Sequence, residues 1–187
     1  MANKKLIFGI TGILLISAVL FFVFASSVSV PKVIDSTESD ATITYHSNVC
    51  VYKNGELTGP CSHNVLYNNG KEMIEARLGN GGSGSILNIS LCNATDSPGC
   101  GAPVAAMTEA FNNFTNCGLN AQNGAYGDLG TGNWSVAKTF TSTCDNVVTN
   151  ATRIMNATGS PFAGNSFTSV TLQTNDQLTI NWTIWVS

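Results

Sequence analysis

The feature that most constrains this chain of 187 residues is the stretch 6–25, which contains no charged side chain. A helix of this length spans about 30 Å, which is the thickness of a bilayer core. Lys4 and Lys5 precede the stretch, whereas the residues after it mix acidic and basic side chains. By the positive-inside rule, we predict a single transmembrane helix, with a cytoplasmic N-terminus and residues 26–187 outside the cell.

A cleaved signal peptide is the alternative interpretation of residues 1–25. Val23 and Ala25 place small residues before Ser26, as signal peptidases require. We favour the anchor because the apolar stretch is longer than the roughly 7–15 residues of a typical signal peptide. Both interpretations export the remainder, either as a membrane-anchored domain or as a secreted or virion-surface protein.

The composition excludes two classes of protein. The chain is 43% hydrophobic and 10% charged, with 8 Lys+Arg against 11 Asp+Glu. Scattered basic residues cannot form the cationic patch that a nucleic-acid binder needs, so we expect no nucleic-acid partner. A disordered chain would be richer in charge and poorer in apolar residues.

The cysteines agree with export to an oxidising compartment. All six lie after the apolar stretch, and their even number predicts a disulfide framework. Six cysteines allow fifteen connectivities. We favour pairing between neighbours, because one pair flanks a hairpin signal and the next encloses a turn-like sequence; the pairs are then Cys50–Cys61, Cys92–Cys100 and Cys117–Cys144.

The exported part divides into an arm and a β domain. Residues 26–41 are small and polar and contain Pro31, which is typical of a stalk or extended arm. From Thr42 to the end, β-branched and aromatic residues predominate. Asn54-Gly55 between two strand-like sequences predicts a tight hairpin.

Apolar periodicity places the remaining elements. We predict helices at 71–78 and around Val104, Met107 and Phe111, and strands at 86–90, 134–141, 147–155, 166–172 and 178–186. In the last strand one face is apolar throughout, at Leu178, Ile180, Trp182, Ile184 and Val186. The expected fold is mainly β: an antiparallel β-sandwich of about seven to nine strands with one or two short helices.

Three kinds of chemistry are conceivable for the residue types present. His46, Cys50, Cys61 and His63 are residue types that bind zinc, but the oxidising compartment favours a disulfide. Loop carboxylates such as Asp128 and Asp176 suit calcium, although turn formation is the simpler role. The sequence has no nucleophile elbow, zinc-protease motif or phosphate loop. We expect no enzyme, metal or cofactor.

Seven N-x-S/T sequons make glycosylation a further expectation for an exported chain. The alternative is an Asn- and Thr-rich β surface without glycans. The candidate asparagines are Asn88, Asn93, Asn113, Asn133, Asn150, Asn156 and Asn181, of which Asn181 is predicted to point outward from its strand.

A series of segments resembles the β module of tail-fibre or baseplate-type structural proteins of phages and archaeal viruses. The segments are VYKNGEL, HNVLYNNGKEMIEARL, TEAFNNF, WSVAKTFTST, NVVTNATRIMN, PFAGNSFTSVTLQ and NDQLTINWTIWVS. The resemblance lies in their order and pattern, covers about residues 42–187 and implies a structural role without catalytic residues. The membrane segment and the cysteines depart from that module and indicate a membrane-anchored form.

These observations lead to three functional hypotheses. The first is a non-enzymatic surface or virion structural protein, anchored through residues 6–25, that mediates attachment or assembly with itself, a capsid or a surface layer. The second is a secreted filament subunit, cleaved after Ala25, whose residues 26–34 add a strand to a neighbour. The third is a secreted carbohydrate-binding or hydrolytic domain, with a stacking surface from Trp134, Trp182 and Trp185. Trp185, which is predicted to lie opposite the apolar face, is the best candidate for glycan binding.

Overall fold

The computed structural model describes residues 44–80, 84–95, 100–108 and 110–187, with Leu78 and Asn80 described by their backbone alone. The predicted membrane segment and the predicted arm lie outside these residues. Within them, no helix is long and apolar enough to cross a membrane. The elements, in chain order, are β1 (Tyr45–Lys53), β2 (Glu56–Leu57), β3 (Ser62–His63), β4 (Val65–Leu66), α1 (Asn68–Asn80), β5 (Ile86–Leu91), β6 (Gln122–Asn123), β7 (Ala125–Gly130), β8 (Asn133–Thr141), β9 (Val147–Asn156), β10 (Pro161–Leu172) and β11 (Gln177–Val186).

Two antiparallel sheets form a sandwich-like fold, as the sequence predicted. The first sheet has the order β2-β1-β11-β8-β7, and β3 also pairs with β1. The second has the order β4-β10-β9-β5-β6. The first and last strands of the described chain, β1 and β11, therefore lie side by side at the centre of one sheet.

The core lies between the sheets and is built from alternate residues of the long strands. On β11, Leu178, Ile180, Trp182 and Ile184 are fully buried, which confirms the predicted apolar face at these four positions. Val186 is 39% exposed, because it lies at the last position of the strand, at the mouth of a cleft. The opposing sheet contributes residues such as Ile89, Ile154, Phe162 and Leu172.

The predicted hairpin is confirmed by its backbone. Asn54 and Gly55 both have positive φ, 50° and 86°, and join β1 to β2. Positive φ at both central residues is the requirement of a type I′ turn, which asparagine and glycine meet at low cost. The first predicted helix is confirmed as α1, which extends a few residues beyond the predicted range at each end.

The second predicted helix is wrong. Residues 104–108, 110 and 111 contain a turn at Ala105 and Ala106 but no helix. Met107 donates its N–H to the oxygen of Val104 and has a φ of 54°, which an α-helix cannot contain. Gly101 then bonds back to Ala110, so the segment forms a closed loop instead.

Candidate functional site

The pairing of β1 with β11 gives the sandwich two distinct ends. Thr44 and Ser187 bond to each other through both backbone N–H groups, at 2.7 and 3.1 Å. We call this the near end, because the chain enters the sandwich there. The far end contains the turn at Asn54 and the start of β11, where the Asn54 N–H donates to the backbone oxygen of Gln177 at 2.8 Å.

Asp176 organises the far end. Its carboxylate lies 2.9 Å from the Lys53 ammonium and accepts hydrogen bonds from the Asn54 side chain and the Gln173 N–H, at 2.8 and 2.9 Å. These hydrogen bonds, with a smaller contribution from Lys53, lower the pKa of Asp176 to about 2. Both oxygens bind donors of the chain itself, so Asp176 closes the turn.

The other candidate metal ligands also make structural contacts. Asp128 accepts a hydrogen bond from the N–H of Gly130 at 2.9 Å. His63 lies 3.1 Å from the backbone oxygen of Ser47 through Nδ1, while both cysteines of the proposed zinc set form a disulfide. Across the described ranges, no group of three or more His, Cys, Asp or Glu side chains could hold a metal ion.

The three predicted disulfides are confirmed. Each joins neighbours in the cysteine order, and the bonds are Cys50–Cys61, Cys92–Cys100 and Cys117–Cys144. Their sequence separations are 11, 8 and 27 residues. The longest loop starts beside Gly118 and ends between β8 and β9, so its bond ties the irregular middle of the chain to the sandwich.

The three tryptophans do not share a surface. Trp182 is fully buried in the core, and Trp134 is half-buried. Trp185 lies on the opposite face of β11 from Trp182, as predicted, and the His46 imidazole stacks on it at 5.4 Å and 10°. One face of the Trp185 indole is therefore covered by the chain itself, which leaves a smaller platform for a sugar than the sequence suggested.

The sequon asparagines differ in exposure. Asn113 is exposed, whereas Asn156 retains 8% of its accessible surface. The Asn156 side-chain oxygen accepts three hydrogen bonds, from Thr158 N–H and Oγ1 and from Ser160 N–H, at 3.0, 2.8 and 2.9 Å. The remaining five, Asn88, Asn93, Asn133, Asn150 and Asn181, are half-buried.

An apolar cleft opens between the sheets at the near end and is the feature most like a binding site. Its volume is about 440 Å³. Tyr45 and Trp134 line it from the first sheet, Ile86 and Phe162 from the second, and α1 lies along it. The sequence patterns did not predict this cleft, because its lining comes from elements that are far apart in the chain.

The helix supplies both apolar and charged groups to the cleft. Met73 and Ile74 pack against the core cluster, while Lys71 and Arg77 are the charged residues of the lining. Burial raises the pKa of the Tyr45 hydroxyl above its ordinary value, so this group stays uncharged. The cleft thus combines an apolar interior with two basic side chains of α1, while Glu72 and Glu75 of the same helix are exposed and lie outside the lining.

Comparison with known proteins gave no matching family model, no matching curated protein and no matching solved structure.

Proposed function

We propose that this chain is a non-enzymatic surface or virion structural protein, held in a membrane by residues 6–25, whose β-sandwich mediates attachment or assembly. The observation that carries the proposal is the complete pairing of the six cysteines within the sandwich. Disulfides form and persist in oxidising compartments and are rare in the cytosol. The uncharged stretch 6–25 is the part of the chain suited to anchor such an exported domain.

The two ends of the sandwich support a role in presentation. The first described residue, Thr44, lies at the near end, and β1 runs from there to the turn at Asn54 at the far end. The turn there is fixed by Asp176 and its bonds to Lys53 and Asn54. A fixed, polar surface loses little conformational entropy when it binds a partner, which suits attachment or assembly.

Membrane fractionation of cells that express the full chain tests this proposal. We expect the protein in the membrane fraction, accessible to external protease, with free thiols only after reduction. Leu14→Arg places a charge inside the apolar stretch and should abolish membrane retention. Leu57→Arg, at an exposed position of β2, adds the same charge outside the stretch and should leave retention unchanged. A cytosolic product with six free thiols would refute the proposal.

A filament subunit that assembles by strand addition is the second candidate function. The observation that favours it is a sheet edge without a strand partner: β4 pairs with β10 at Ala163 and Gly164, and no strand of the described residues pairs with this edge at 166–172. Side chains of Ser62 and Lys53 donate to the backbone oxygens of Ser166 and Thr171, so an added strand would have to displace these two contacts. Unpaired edges accept strands from other chains. This candidate requires a mature N-terminus at Ser26.

Deletion of residues 26–34 separates the two functions. The strand-addition mechanism predicts that fibres disappear in this variant but persist when residues 35–41 are deleted. The anchored mechanism predicts that native material retains residues 1–25, which intact-mass spectrometry measures directly.

A further inference from the structure

We propose that the near-end cleft binds a single-chain amphiphile, a medium-chain acyl carboxylate, with its tail between the sheets and its head at α1. The cleft volume of about 440 Å³ lies within the range of roughly 300–1,000 Å³ that is usual for small-molecule sites. This inference is independent of the proposed anchor, because it rests on the sandwich alone.

The interior of the cleft suits an alkyl chain. Its walls come from both sheets and the helix, and most of the lining is aliphatic or aromatic. Tyr45 and Phe162 meet edge to face across the sheets, with ring centroids 5.7 Å apart. An alkyl tail needs no hydrogen-bond partner there, whereas a sugar or a peptide backbone would leave polar groups unsatisfied.

The charged residues that line the cleft determine which head group of the ligand fits. Lys71 and Arg77 both line the cleft, and no acidic residue does. The ion pair between Lys53 and Asp176 lies at the far end and involves neither Lys71 nor Arg77. Two cations that form no ion pair with a carboxylate of the described residues favour an anion, and a carboxylate ligand can accept charge-assisted hydrogen bonds from either of them. An alcohol of the same chain length lacks this attraction.

Tail length provides a second criterion. Burial of each methylene is worth about a fourfold gain in affinity. We therefore expect affinity to rise with each added carbon until the cleft is full and then to level off. Partition of the amphiphile into a bilayer would instead increase with chain length without levelling off, and it would not saturate a site on the protein.

Tryptophan fluorescence of the full chain in lipid discs tests the proposal. All three tryptophans lie in the described part of the chain, and Trp134 alone among them lines the cleft. Dodecanoate brominated at its terminal carbon is the probe, because bromine quenches indole on contact. We expect saturable quenching that Trp134→Phe abolishes, and no saturable quenching by bromoacetate, which has the head group but no tail.

Charge variants test the head-group contact. Lys71→Gln and Arg77→Gln lie at exposed positions of the helix and should each weaken binding about two- to fivefold. Lys138→Gln removes a cation that does not line the cleft and should leave binding unchanged. Thermal unfolding of each variant checks that the sandwich is intact.

Three results would overturn the proposal. The first is quenching that persists in Trp134→Phe, which would indicate contact away from the cleft. The second is equal affinity for the brominated alcohol and the carboxylate. The third is concentration-dependent self-association that abolishes quenching, since a second copy would then be the occupant of the cleft.

Discussion

Lys53 is the last residue of β1 and Asp176 directly precedes β11, and their charged groups are 2.9 Å apart at the far end of the first sheet. The carboxylate also accepts hydrogen bonds from Asn54 and Gln173, and these contribute more to its low pKa than the lysine does. The turn before β11 is therefore coupled to the β1–β2 hairpin through one carboxylate, rather than through the ion pair alone.

The pKa of about 2 for Asp176 predicts the direction of a pH effect. Because the folded-state pKa lies below the ordinary value of 3.8, the ionised group stabilises the fold above about pH 4, and this contribution is lost as the pH falls towards 2. We expect Asp176→Asn to lower the melting temperature at neutral pH. The difference in melting temperature between this variant and the wild type should become smaller as the pH falls from about 4 towards 2.

The Lys53→Gln variant distinguishes the contribution of the ion pair to the low pKa of Asp176 from that of the hydrogen bonds. Removing the ammonium leaves the hydrogen bonds from Asn54 and Gln173 in place. We therefore expect the pKa of Asp176, measured by NMR titration, to remain below its ordinary value. A return to the ordinary value in this variant would show that the ion pair, and not the hydrogen bonds, dominates.

Loss of individual disulfides should follow loop length. In the chain-entropy model, a bond that closes 27 residues contributes about 3.5 kcal/mol, against about 2.5 kcal/mol for one that closes 8 residues. Double alanine replacement at Cys117 and Cys144 should therefore lower the free energy of unfolding more than replacement at Cys92 and Cys100. Chemical denaturation measures both, and the reverse order would contradict the entropic account.

Two glycines with positive φ should tolerate alanine differently. Gly118, with a φ of 71°, has no room for a Cβ, which would overlap the backbone oxygen of Thr141. Gly55, with a φ of 86°, has no neighbouring atom within 4 Å of that position. We expect Gly118→Ala to cost about 2–5 kcal/mol of stability and Gly55→Ala about 1–2 kcal/mol. Similar losses of stability for the two variants in thermal unfolding would show that the loop around Gly118 can move to accommodate the added Cβ.

Glycan occupancy should follow side-chain exposure. The Asn113 side chain is exposed, so an attached glycan reaches solvent without disturbing the fold. Asn156 exposes 8% of its surface and holds the β9–β10 turn through its hydrogen bonds to Thr158 and Ser160. Glycopeptide mapping of native material should find Asn113 occupied and Asn156 empty. A glycan at Asn156 would require a different turn.

Local patterns predicted the long elements of this fold. The alternation at 178–186 and the Asn54-Gly55 turn each encode their structure over a few neighbouring residues, and both predictions are confirmed. The strands β6 and β7 were missed because their sequence is polar and glycine-rich. β7 is held to β8 by backbone pairing at the edge of a sheet, which needs no apolar alternation.

The errors and omissions arose where distant residues meet. Val104 and Met107 have helical spacing, yet the positive φ of Met107 turns the chain back. The cleft is built from residues far apart in the sequence, such as Tyr45, Ile86 and Trp134. A repeat of apolar residues within one element does not indicate that three separate elements converge on one cavity. The sequence therefore predicted the disulfides but not the cleft.

The antiparallel pairing of β1 and β11 has a mechanical consequence. Pulling Thr44 away from Ser187 would open the nine residue pairs of this ladder one after another, as a zipper opens. Tension applied between Thr44 and a load held at the far end would instead act along the strands, so that many hydrogen bonds resist shear together. The same domain would then yield easily in one direction and withstand drag in the other.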